Sequence, residues 1–270
     1  MRLIRYQDRQ GKTGWASEQA DGSALALAGS PLQSLALTGR KADVAKLLAP
    51  VEFPPPVIMC IGANYKRHIE ECNAPVPPHP VLFVKNPGAV QNPDDPIWLP
   101  VGLKSEMVDY EAELAFVIGR TCKNVKADQA LDYVLGYTCA NDVSARDWQR
   151  NGGGGQWCRG KGFDSFAPLG PCLVTADEIP NPNNLRIQGR LNGKTVQDSN
   201  TSDMLFDIPT LIAFLSGSTT LLPGTVILTG TPSGVGMAKE PPVWLKPGDD
   251  YAVEIERIGT LANPVLLEKL

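Results

Sequence analysis

The sequence predicts a mainly β protein with some α, a strand-rich sandwich or irregular barrel carrying a small N-terminal α+β unit. Three observations point there. Short apolar runs of strand length recur along the chain, helical periodicity is convincing in only two places, and 26 glycines and 24 prolines punctuate the runs as turns. With 270 residues and 43% hydrophobic content, the chain can fill one large core, or a core with a small appendage.

Residues 2 to 6 and 13 to 17 read as two strands around the turn Arg9-Gln10-Gly11-Lys12. Residues 40 to 48 read as a helix, with Val44, Leu47 and Leu48 on one face. This hairpin/helix unit, residues 1–53, ends at Pro54-Pro55-Pro56, which continues neither a helix nor a central strand. Residues 54–270 then form the main domain. It opens with the apolar run from Val57 to Ile61, the pattern of a buried strand. Further strands are expected at residues 111–118, 133–140, 173–175, 185–191, 225–229 and 251–258. Helix is expected near 127–131 and over 208–215, where Asp207 can cap and Pro209 sits in the first turn.

A net charge of -4 and a pI near 5.3 provide no basic field for a phosphate backbone, so nucleic acid is not an expected partner. No run of 18 apolar residues occurs, and no membrane span is expected. The six cysteines stand singly, without metal or disulfide spacing, which suits free thiols in a reducing compartment. Arg2, Arg5 and Arg9 leave a mitochondrial leader open, but Asp8 and the missing amphipathic pattern favour a cytoplasmic location.

In Asp109-Tyr110-Glu111-Ala112-Glu113-Leu114-Ala115-Phe116, the period of a strand sends Glu111 and Glu113 to one face. Two like charges on an otherwise apolar strand repel, and burial raises that cost unless a cation or a proton intervenes. Asp142 follows another apolar run, Gly136 to Ala140, and can bring a third set of oxygens. All-oxygen ligation suits a hard ion such as Mg²⁺ or Mn²⁺, with positions left for water and substrate. A half-exposed edge strand with its glutamates paired to surface lysines gives the same alternation.

His68 has Glu71 at i+3, the spacing at which a carboxylate orients an imidazole for proton transfer; the competing reading is a surface histidine on a short polar helix. His79, between two prolines, reads as a loop residue. The glycine-rich stretch from Asn151 to Gly162 nearly matches a phosphate loop but has Gly162 where a Ser or Thr would bind metal. A mobile lid ending in the cation Lys161 explains it better, a plain flexible loop being the alternative. Thr229 to Gly236 can hold an anionic group through backbone amides and the Thr231 hydroxyl, or serve as a tight structural turn.

Taken together, these segments resemble the fumarylacetoacetate hydrolase family over roughly residues 57 to 265. The resemblance is carried, in the family's order, by Asn64-Tyr65 through His68 to Glu71, Pro80-Val81-Leu82-Phe83-Val84-Lys85, Tyr110-Glu111-Ala112-Glu113-Leu114, Asn141-Asp142 through Gln149, Gly160-Lys161-Gly162-Phe163-Asp164, Thr229 to Gly236 and Gly259 to Asn263. It implies a mixed β-sandwich roll and one Mg²⁺ or Mn²⁺ per chain on Glu111, Glu113 and Asp142. It also implies a His68–Glu71 lid dyad, with Lys161, Gln149, Thr231, Tyr65 and Arg146 at the substrate. Arg146 has a structural alternative, pairing with Asp142 or Asp147. Gly162 departs from the Ser that relatives often carry there.

The short N-terminal unit places the chain near the compact branch of acylpyruvate hydrolases, oxaloacetate decarboxylases and tautomerases, and hydroxymuconate-type isomerases. The expected activity is on a 2-oxo acid through an enolate: decarboxylation or tautomerisation of oxaloacetate, or C–C hydrolysis of an acylpyruvate. A hydroxymuconate-type isomerase and a non-catalytic dicarboxylate binder are the alternatives. A homodimer is implied, with residues 211–215 and 221–222 suited to its interface or to the core.

Overall fold

The structure, a computed structural model, describes residues 1–269. Strands β1 (Arg2–Gln7) and β2 (Thr13–Glu18) form the predicted hairpin, pairing from Arg2 with Glu18 to Gln7 with Thr13. β3 (Ala24–Leu27), β4 (Leu37–Lys41) and β5 (Lys46–Leu48) follow. The helix expected over 40 to 48 is not formed; the segment is the end of β4, a turn, and β5, which pairs with β1 from Arg5–Leu48 to Gln7–Lys46. A nine-residue helix with one weak apolar face is marginal alone, whereas the open edge of β1 offers backbone groups that need partners. The N-terminal unit is therefore β throughout, without the α portion expected of it.

The main domain opens with β6 (Ile58–Gly62), helix α1 (Lys66–Glu71), β7 (Val81–Lys85), β8 (Val90–Gln91) and β9 (Ile97–Leu99). Next come β10 (Val108–Asp109), β11 (Ala112–Ile118), β12 (Val134–Asn141), β13 (Ser144–Ala145), α2 (Cys158–Lys161) and β14 (Ala167–Thr175). The chain closes with β15 (Arg186–Leu191), β16 (Lys194–Asn200), α3 (Ile208–Ser216), β17 (Val226–Leu228), β18 (Asp250–Ile255) and β19 (Gly259–Leu267).

A large sheet runs in the order β4-β3-β2-β1-β14-β12-β11-β17-β6-β7, with β5 on β1 and β8 on β14. The N-terminal strands thus extend the main sheet, β1 joining β14 through Arg2–Val174 and Leu3–Leu173, across the tri-proline segment. A second sheet, β16-β15-β18-β19-β9, packs over β11, β12 and β14. The result is mainly β with a mixed sandwich, as the sequence predicts.

Strand β14 begins six residues before the expected 173, because Pro168 and Pro171 mask it; pairing with β12 slips between Tyr137 and Cys139, opposite Gly170. β16 goes unread in the sequence for its polarity. Asn192 and Gly193, at φ of 51° and 76°, turn the chain sharply into it from β15. α3 forms as expected, with Asp207 Oδ1 accepting from the Thr210 N–H at 2.9 Å, while residues 127–133 make a 3₁₀ turn. Leu211, Ile212, Leu215 and Leu221 go to the core; Leu222 stays exposed. No helix among the described residues is long and apolar enough to cross a membrane.

Candidate active site

All seven residues of β11 are buried, between β12 and β17 and under the second sheet. The half-exposed edge strand is thereby ruled out, and Glu111 and Glu113 are 5% and 1% exposed. β11 and β12 pair with Ala112 opposite Asn141. Just beyond that pair the Asp142 N–H donates to the Glu111 carbonyl at 2.9 Å, while the Glu111 N–H donates to Asn141 Oδ1 at 3.0 Å. This knot brings oxygens of Glu111, Glu113 and Asp142 to within 4.8 Å of one another.

Cations crowd the same space. Lys161 Nζ donates to Glu111 Oε2 and to Asp142 Oδ2, each at 2.7 Å. Lys85 Nζ donates to Asp142 Oδ1 and to the Val143 carbonyl. Arg146 Nε donates to Asp109 Oδ2 at 2.9 Å, and its Nη2 lies 2.7 Å from Glu111 Oε1 and 2.8 Å from Asp109 Oδ2. Burial acts to raise the Glu111 carboxyl, but Lys161 and Arg146 outweigh it and hold Glu111 well below the usual carboxylate range. Glu113 goes the other way: burial first, then the charges of Asp142 and Glu111, push it well up.

Those observations test the fit of a metal. Four buried carboxylates, Asp109, Glu111, Glu113 and Asp142, face three buried cations, Lys85, Lys161 and Arg146, so one negative charge is left over. The surplus falls at Glu113, whose hydrogen-bond partner among the described residues is the Gly230 N–H at 2.7 Å. A buried carboxylate beside two others is costly unless a proton or a cation joins it. The three-carboxylate oxygen set suits a hard divalent ion such as Mg²⁺ or Mn²⁺.

A cavity of about 240 Å³ opens onto Glu111, Glu113, Arg146, Gln149, Lys161 and His68, with Ile61, Ile69, Trp157 and Met237 as its apolar wall. His68 stands in α1 with its Nδ1 2.8 Å from Glu71 Oε1; the short polar surface helix is not what forms, since the imidazole is 9% exposed. Glu71 Oε2 accepts from the Gly234 N–H at 2.8 Å, tying the dyad to the 229–236 loop. Burial lowers the His68 pKa, but the Cys72 and Glu71 contacts outweigh it and raise it to about 9, so the ring is a cation at neutral pH.

Several expected residues sit differently from the sequence reading. Lys161 is not the tip of a mobile lid: it is 2% exposed, anchored on two carboxylates and placed 5.0 Å from the Phe83 ring centroid. Gly160 explains how: a Cβ there would lie 2.4 Å from the Gln149 backbone nitrogen, so only glycine lets α2 press against the preceding turn. Arg146 pairs with Asp109 and Glu111, not with Asp142 or Asp147; Asp147 instead accepts from the Trp148 N–H and the Ser105 hydroxyl. Gln149 Oε1 accepts from Arg146 Nη1 at 3.0 Å, with Gln149 on the cavity wall.

Thr231 reaches the cavity, but its hydroxyl already donates to the Ala112 carbonyl and accepts from Gln197 Nε2, so it is a brace between strands. Tyr65 is fully buried at the start of α1 and does not line the cavity. Two residues escaped the sequence reading as site members. Lys85 ends the apolar strand Val81–Val84, where a lysine is out of place on a strand otherwise fit for burial. Asp109 binds Arg146 and also accepts from the Gly236 N–H at 2.7 Å; its signal was adjacency to Glu111 in an acidic cluster.

A family model described as the C-terminal domain of fumarylacetoacetate (FAA) hydrolase matches residues 57–266. The chain is 50% identical over 244 residues to a Xenopus laevis protein named oxaloacetate tautomerase fahd2, mitochondrial, covering 90% of this chain and 75% of that one. Among solved structures, a 5-carboxymethyl-2-hydroxymuconate delta-isomerase from Mycobacterium smegmatis superposes with a TM-score of 0.86 at 41% identity, covering 99% of this chain and all of that one. A fumarylacetoacetate hydrolase from Exiguobacterium antarcticum gives a TM-score of 0.89 at 36% identity, with 99% and 100% covered.

Proposed function

The chain belongs to the fumarylacetoacetate hydrolase family, and from that premise we propose that it is an enzyme interconverting the enol and keto forms of oxaloacetate or a closely similar 2-oxo dicarboxylate. One observation carries the reading: a protonated His68, oriented by Glu71, faces the same small cavity as the buried carboxylate cluster.

Charge supports the substrate class. The cluster has one negative charge in surplus; a divalent ion on Glu111, Glu113 and Asp142 would reverse that to one positive charge, while the His68–Glu71 ion pair adds none overall. A site of net positive charge favours an anionic substrate such as a dicarboxylate. Such an ion supplies a fixed positive charge that polarises the 2-oxo carbonyl and acidifies C3. The chain's own residues do the rest. Glu71, held by the Gly234 N–H, keeps Nδ1 of His68 occupied and turns Nε2 into the proton carrier. In the enol-to-keto direction the charged His68 gives its Nε2 proton to C3, the enol hydroxyl proton passes to water, and the neutral ring regains a proton from water; keto to enol is the same path reversed. Gln149, braced by Arg146, and Lys161 line the cavity where the substrate's carboxylates sit. The apolar wall of Ile61, Ile69 and Trp157 excludes water from the carbon that is protonated.

A second reading, isomerisation of a longer 2-hydroxydienedioate, is supported by the solved relative of that activity, and uses the same proton transfer. Decarboxylation of oxaloacetate and hydrolysis of an acylpyruvate need the same enolate, so all belong in one assay. We further propose a homodimer, supported by Leu82 and Val84, exposed on the terminal strand β7. The name of the Xenopus relative supports a mitochondrial location.

The test is a panel of oxaloacetate, an acylpyruvate and a 2-hydroxydienedioate, with Mg²⁺ and with chelator, following enol absorbance, CO₂ and released acid separately. Accelerated loss of oxaloacetate enol without CO₂, abolished by chelator and in Glu113→Gln, is the expected result. Full turnover by Glu113→Gln in chelator would remove the metal from the reading, and no turnover of any substrate would remove the enzyme.

A further inference from the structure

α1 presents a second set of metal-ligating groups, chemically unlike the carboxylates. His68, Glu71 and Cys72 stand at i, i+3 and i+4, which puts them on one face of the helix. Nδ1 of His68 is 2.8 Å from Glu71 Oε1 and 3.9 Å from Cys72 Sγ, and one donor atom from each of the three residues falls within 4.8 Å of the others. In a tetrahedral zinc site with ordinary Zn–N, Zn–O and Zn–S bonds, neighbouring donors lie about 3.3–3.6 Å apart, so shifts on the order of an ångström convert this triangle into three corners of a coordination shell.

Its donors are a thiol, an imidazole and a carboxylate, a borderline-soft set that selects zinc and discriminates against magnesium, whereas the three-carboxylate cluster does the reverse. Glu71 and Cys72 are both partly exposed, so an ion has access from the cavity side. Glu71 can give up Oε1 to an ion without leaving its place, because Oε2 stays bonded to the Gly234 N–H.

We propose that His68, Glu71 and Cys72 form an inhibitory zinc site, separate from the carboxylate cluster, whose occupation stops proton transfer by His68. On binding, Zn²⁺ displaces the Cys72 thiol proton and the proton on Nδ1, both passing to water, and makes bonds to Sγ, Nδ1 and Glu71 Oε1. The imidazole is then fixed by the metal in place of Glu71, and the charge-assisted contact that made it an acid is gone. The effect on turnover rests on the role given to His68 above; the binding itself does not.

Two measurements on the Mg²⁺-loaded full chain separate these. First, Co²⁺ is added as a spectroscopic stand-in, and Zn²⁺ affinity is measured by competition with a chromophoric chelator. A thiolate-to-cobalt charge-transfer band is expected in the wild type and not in Cys72→Ser or Cys72→Ala, with Zn²⁺ bound at least about tenfold more weakly by both variants. Thermal melts verify that the variants fold, and two substitutions guard against one failing. A cobalt spectrum without a sulfur band, or equal zinc affinity in wild type and both variants, overturns the site. Second, Zn²⁺ is expected to inhibit turnover in a way that excess Mg²⁺ does not relieve, and Cys72→Ser is expected to escape. Sulfur-bound cobalt with undiminished turnover overturns the inhibition while leaving the function proposed above standing; full relief by Mg²⁺ places the inhibition in the carboxylate cluster instead and equally overturns it.

Discussion

At the scale of single residues, the site is a balance of buried charges. Lys161, Lys85 and Arg146 spend their positive charge on Glu111, Asp142 and Asp109, and Glu113 is left with a backbone amide. His68 shows how environment sets a charge state: the folded surroundings raise its pKa to about 9, so the ring is a cation at neutral pH. Because that value is raised above the ordinary 6.5, the protonated ring stabilises the fold fully below about pH 6.5, and this contribution is lost as pH rises through 9. Activity that needs protonated His68 is expected to fall along an alkaline limb, which a divalent ion on the carboxylates would move below the value of about 9 that the ring has without it. Glu71→Gln removes the carboxylate that favours the cation, so the limb moves toward neutrality by about one pH unit or more. A pH–rate profile of the two proteins checks this; an unmoved limb means that His68 is not the titrating acid.

Among elements, the short contacts of α2 decide where a lysine ends up. The glycine run before it suggested a mobile lid, but Trp157 lies in the notch left by Gly62, and Gly160 lets α2 touch backbone at Gln149 and Ala145. In Gly160→Ala the new Cβ would lie 2.4 Å from the Gln149 nitrogen and 2.6 Å from the Ala145 carbonyl oxygen. Backbone cannot rotate aside as a side chain can. The expected cost is about 1–3 kcal/mol of stability, together with a marked drop in turnover as Lys161 is moved off Glu111 and Asp142. Denaturant melts and kcat measurements check both; a variant with wild-type stability and rate would show that α2 has slack the packing does not suggest. Periodicity was informative where an element caps itself, as in α3, and failed where pairing with a distant strand decides, as in β5, β14 and β16.

For the whole molecule, one sheet joins the N-terminal strands to the site. Residues 1–53 read as a separable unit, yet β1 pairs with β14, whose neighbour β12 leads into Asp142. Leu3, Ile4, Trp15, Ala49 and Val51 belong to the same buried core as β14. Removing residues 1–53 uncovers that apolar surface and the free edge of β14, a template for pairing with other copies. The truncated chain is expected to aggregate or to melt well below the full chain, as measured by sedimentation and thermal unfolding. A soluble truncation with an unchanged melt and full activity would establish the unit as independent.

The sequence by itself determined the strand-rich class, the alternation that puts Glu111 and Glu113 on one face, the i, i+3 spacing of His68 and Glu71, and, through its ordered motifs, the family. These are local facts, written in periods of two and of three to four residues. Spacing alone left Glu111 and Glu113 divided between ligands and surface residues. Only the tertiary structure buried them, by covering both faces of β11, and only it supplied Lys85, Asp109 and Arg146 from separate parts of the chain as partners. Whether a carboxylate is a ligand or a surface charge depends on how much water is removed and which charges replace it, and those are set by contacts between residues far apart along the chain.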